Sequence, residues 1–139
     1  MSDVTTWAVL TDGRYVRVLF NRGHGKSLLT LKADDSEALT KLCYELVMGI
    51  VPGSSEGVAS KKKSNMQLVA DFLTEQYEAK LFDRFVIAAP EKVIKALRDA
   101  LPQQMTQLIS GELAEDILPM TVTDIEEKLG DMIIQGRND

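Results

Sequence analysis

Hydrophobic positions along this chain follow three different rhythms, and each predicts a different element. From Tyr15 to Phe20 the period is two: Val16, Val18 and Phe20 fall on one side, Tyr15, Arg17 and Leu19 on the other, as in a strand. Between Ser36 and Ile50 it is helical, with Leu39, Leu42, Cys43, Leu46 and Ile50 spaced by three, four, three and four. From Phe85 to Ala89 every residue is apolar, which predicts a strand covered on both faces, central in a sheet flanked by helices.

The remaining segments fall between these patterns. Thr5 to Thr11 is a first strand, joined to the second by Asp12-Gly13, a pair that favours a tight type I′ hairpin turn. Leu28 to Ala33 is a third, so an antiparallel three-strand meander is expected. Gly49 and Pro52 close the first helix, and Gly53 to Ser60 is small, polar and flexible. Lys61, Lys62 and Lys63 follow, and the loop spans about residues 53–63. Ser64 and Gln67 have the spacing of a capping box, opening a helix of roughly four to five turns whose face carries Met66, Val69, Ala70, Leu73, Tyr77 and Leu81. After the strand at Arg84 to Ala89, Pro90 suits a first helical position, and Val93, Ile94, Leu97 and Leu101 form the next buried stripe. Lys92, Lys95 and Arg98 lie on its solvated side. Thr106 to Glu112 is expected as another strand, and Thr121 and Asp124 cap a last helix with Val122, Ile125, Leu129, Met132 and Ile133 inward. The order implies a mixed α/β (α+β) fold, one domain over residues 1–139, with helices packed on a mixed sheet.

Composition narrows the function by exclusion. With 139 residues, 45% hydrophobic and 27% charged, the chain is globular and long enough for one core. A net charge of -5 opposes indiscriminate attachment to nucleic acid or anionic membrane, so RNA contact requires a local basic patch. The lysines at 61–63 are the only concentrated positive charge, and a binding loop of this kind loses affinity steeply with salt. The start of the chain lacks a leader pattern and no stretch approaches the ~18 apolar residues of a membrane span, so a cytoplasmic location is expected.

Chemical signatures are sparse. His24, the single histidine, lies between two glycines in an expected turn; Cys43, the single cysteine, lies on an apolar stripe and is expected in the core. Neither a nucleophile-histidine pair nor a zinc cage can be assembled from them. Phosphate-binding glycine motifs are absent, and the sequence implies no cofactor. Asp12, Asp83 and Asp116 flank strands, and a metal-dependent hydrolase would need them to converge.

The segments Trp7 to Val18, Phe82-Asp83-Arg84-Phe85-Val86-Ile87-Ala88-Ala89-Pro90, Leu97-Arg98-Asp99-Ala100-Leu101 and Asp116-Ile117 resemble the bacterial host-attachment protein family over nearly the whole chain except about residues 34–63. That family is in turn similar to the middle domain of the eukaryotic and archaeal class I translation termination factors, where a loop bears a Gly-Gly-Gln tip that promotes peptidyl-tRNA hydrolysis. In the matching place Gly53 and Gly57 are separated and Gln67 lies in the expected helix, so the tip is missing. The helix around Leu39 to Val47 is a second departure. The resemblance implies a non-catalytic module associated with ribosome or tRNA through Lys61, Lys62 and Lys63. The other role it implies is indirect, in attachment to host cells through a protein partner or homodimer.

Overall fold

The computed structural model describes residues 4–22, 27–32, 36–48 and 64–135. Five strands, β1 (Thr6–Thr11), β2 (Val16–Asn21), β3 (Leu29–Thr30), β4 (Arg84–Ala88) and β5 (Ile109–Leu113), form one sheet in the order β3-β2-β1-β4-β5. The β1–β2 and β2–β3 pairs are antiparallel, as the meander required, while β1–β4 and β4–β5 are parallel. The middle position belongs to β1, with β4 beside it. A run of apolar residues identifies an interior strand but not its rank, and all six residues of β1 are buried as well.

Strand alternation builds two cores. Trp7, Val9, Val18, Phe85 and Ile87 face one way, under α1 (Glu37–Met48), α2 (Asn65–Glu78) and α3 (Glu91–Ala100). Ala8, Leu10, Leu19, Val86 and Ala88 face the other, where Ile125, Leu129 and Ile133 of α5 (Val122–Gln135) and Ile117 cover them. The result is a three-layer α/β/α arrangement.

Several boundaries differ from expectation for local reasons. The β1–β2 connection is not a type I′ turn: Gly13 has φ 97°, and Lys80 alone among the described non-glycine residues has a positive φ. The last paired residues are Thr11 and Val16, leaving a four-residue loop. The Asp12 carboxylate accepts the N–H groups of Arg14 and Tyr15 at 2.8 Å each, and the Thr11 hydroxyl accepts from Gly13 and donates to the Tyr15 carbonyl. Side-chain acceptors thus do what a second left-handed residue would have done.

The segment at Thr106 begins as helix. Pro102 caps a single turn, α4 (Gln103–Thr106), which buries Met105, and β5 starts at Ile109. Pro90 is the N-cap of α3 rather than its first residue. Leu81 falls beyond the end of α2, past the left-handed Lys80, and half its surface is exposed. In exchange Leu68, Phe72 and Gln76 are buried, because α1 packs on a second flank of α2. Ser64 caps α2 through Gln67 N–H at 3.1 Å, while the Gln67 amide donates forward to Asp71. Cys43 is half-buried rather than enclosed, and burial pushes its thiol pKa up. No described helix is long and apolar enough to cross a membrane.

Candidate functional site

The carboxyl ends of parallel strands, where a connection leaves the sheet, form the usual crevice for ligands in α/β proteins. Here that end gathers the β1–β2 turn and the first turns of α2 and α3. The Asn65 side chain, at the start of α2, donates to the Gly13 carbonyl at 2.8 Å. A Cβ added to Gly13 would lie 3.3 Å from Val93 in α3. The turn is thereby held against both helices. Arg14 and Tyr15 are exposed at its tip, with the guanidinium 5.7 Å from the ring centroid.

Asp12 lies within this turn. Burial alone would raise its carboxyl pKa, but the N–H groups of Tyr15 and Arg14, with the Arg14 charge, outweigh burial and hold it below the ordinary value.

Lys61, Lys62 and Lys63 lie outside the described residues, as do His24 and Gly53 to Ser60. Ser64, where the described chain resumes, caps α2 one residue before the Asn65 clip. The clip joins positions 52 residues apart. An asparagine after a capping serine carries no sequence signal for such a contact.

The three carboxylates of a metal-dependent site are not assembled. Asp83 precedes β4, level with Thr5 in the parallel register, whereas Asp12 follows β1 seven residues further on, so roughly 23 Å of strand length separates the two. Asp83 accepts from Thr5 N–H at 2.8 Å, and Asp116, beyond β5, accepts from Leu118 N–H at 3.2 Å. Among the described residues no group of three or more His, Cys, Asp or Glu is placed to hold a metal ion.

The residues of the Phe82-to-Pro90 and Leu97-to-Leu101 segments likewise do structural work. Phe82 stacks on Trp7 with ring centroids 4.7 Å apart, and Arg84 ties Thr6 of β1 to the Ile133 carbonyl of α5 at 2.9 and 2.8 Å. Leu97, Leu101 and Ile117 are buried, and Arg98 lies 3.4 Å from Glu112.

A mixed sheet between two helical layers defines a three-layer α/β module, and a family match makes it a termination-factor-like one. The chain belongs to bacterial archaeo-eukaryotic release factor family 12, whose model matches residues 51–129, more than half of its length. The match spans α2, β4, α3, α4, β5 and the first part of α5; the meander and α1 precede it. No curated protein matches the chain.

Proposed function

We propose that this protein is a non-catalytic member of its release-factor family that associates with ribosomes or tRNA through the Lys61, Lys62 and Lys63 segment. The family match supports this reading, since the family is release-factor-like and the matched residues include the lysine segment. The chain has no Gly-Gly-Gln: Gly53 and Gly57 stand apart, and Gln67 is in the first turn of α2 with its amide bonded to Asp71. With a net charge of -5, the body repels phosphate, so attraction must be local and salt-sensitive.

The test is cosedimentation with ribosomes and tRNA across a salt series, comparing wild type with the Lys61, Lys62, Lys63 triple alanine variant. Three phosphate contacts with single-stranded RNA predict a log–log salt slope near -2, flattened by the triple substitution. Absence of binding at low salt overturns the reading. Turnover of peptidyl-tRNA, with or without added divalent metal, overturns its non-catalytic part.

Indirect action in host attachment through a protein partner is a second reading, for which Leu29, Tyr44 and Leu81 offer exposed apolar side chains on separate parts of the fold. A deletion strain that attaches normally would remove it.

A further inference from the structure

Between α1 and α2 lies a cleft of about 240 Å³ with apolar walls that include Leu42 and Phe72, both buried. Its charged lining is Lys41, Glu45, Asp71 and Glu75, three carboxylates against one ammonium. Asp71 accepts from the Gln67 amide at 3.0 Å. Glu45 is different: it keeps only 8% of its surface exposed and, among the described residues, has no hydrogen bond or ion pair. A buried carboxylate without a partner is costly, and the cost is relieved when a cation enters and donates to it.

The shape restricts that cation. The cleft's carboxylates are not clustered as a metal ion would need. An alkylammonium matches both features of the lining, a methylene stem against Leu42 and Phe72 and a charged head at Glu45, with Asp71 and Glu75 at its sides.

We infer that the α1–α2 cleft binds a protonated aliphatic amine of lysine type, with Glu45 as its anchoring carboxylate. Such a ligand is either a free diamine or a lysine side chain of a peptide. The cleft is lined by α1 and α2 and includes none of the lysine segment, so the inference is independent of that segment's proposed role.

Cadaverine and an acetylated oligolysine peptide are the probes, read by thermal shift and by amide chemical shifts of Leu42, Leu68 and Phe72. The comparison proteins are Glu45→Gln and a charge-matched control, Glu127→Gln, whose site is exposed on the opposite helical layer. At least tenfold weaker binding is expected for Glu45→Gln, with wild-type affinity for the control. If Glu45→Gln does not fold, Glu75→Gln at the exposed rim serves, with a few-fold loss expected. Site-dependent binding of cadaverine assigns the free amine; binding of oligolysine alone assigns a lysine side chain. No binding of either probe, or equal binding by site variant and control, overturns the inference.

Discussion

At the residue scale, two positions show how little freedom the fold leaves. Gly111 follows Ser110, the extra residue where β5 slips past β4 between Phe85 and Val86. A Cβ there would lie 2.8 Å from Sδ, 2.9 Å from Cγ and 3.0 Å from Cβ of Met132 in α5. The thioether end can swing away, but the Met132 Cβ moves only with its helix. Gly111→Ala is therefore expected to cost about 1–3 kcal/mol, measured by urea denaturation, and less in a Met132→Ala background. Equal costs in both backgrounds would show that the contact is not responsible. Asp12 offers a pH-dependent counterpart. Its folded pKa is below the ordinary 3.8, so its charge stabilises the fold above that value, and the contribution is lost as pH falls through the folded pKa. Asp12→Asn keeps an oxygen for the turn's N–H groups and removes the titration. Its stability deficit should be greatest near neutrality and vanish in acid, below the folded pKa. A pH-independent deficit would refute this assignment.

At the element scale, the β1–β2 turn and α2 depend on each other through one side chain. Asn65→Ala removes the donor to the Gly13 carbonyl, and about 1 kcal/mol of stability should go with it. Faster hydrogen exchange at Gly13, Arg14 and Tyr15 should accompany the loss; unchanged exchange would mean that the Asp12 and Thr11 bonds alone hold the turn. This contact also marks the limit of what sequence discloses. Period and run length sufficed for α2, α3, α5, β1 and β4, because each buries a face that its own residues define. They did not reveal the helical turn at Met105, the slip at Ser110 or the burial of Phe72, which depend on what packs across from them. The same holds for Glu45: its place near the stripe of α1 is readable, but its enclosure is supplied by α2. Of the candidate site, the sequence offered the Asp12-Gly13 turn, but not the Asn65 clip that holds it against α2; the lysines lie outside the described residues.

For the whole molecule, the question is whether its two cores fold as one. They share no helices, yet β1 and β4 contribute alternate residues to both: Trp7, Val9, Phe85 and Ile87 to one face, Ala8, Leu10, Val86 and Ala88 to the other. A strand cannot lose its order on one face and keep it on the other, so damage to either core should destabilise both. Trp7, the sole tryptophan, is 3% exposed and packs against Phe82 and Phe72 on the α2 side, so its fluorescence reports that core alone. Ile125 is fully buried in the opposite core. Ile125→Ala should cost about 2–5 kcal/mol and lower the thermal midpoint by roughly 6–20 °C. The decisive feature is coincidence: the Trp7 transition should move with the far-UV circular dichroism transition, although no Trp7 contact was altered. Leu73→Ala, on the Trp7 side, should behave alike. If Ile125→Ala instead splits the curves, with Trp7 melting at its wild-type temperature, the α5 layer is a separate unit and the sheet does not couple the cores.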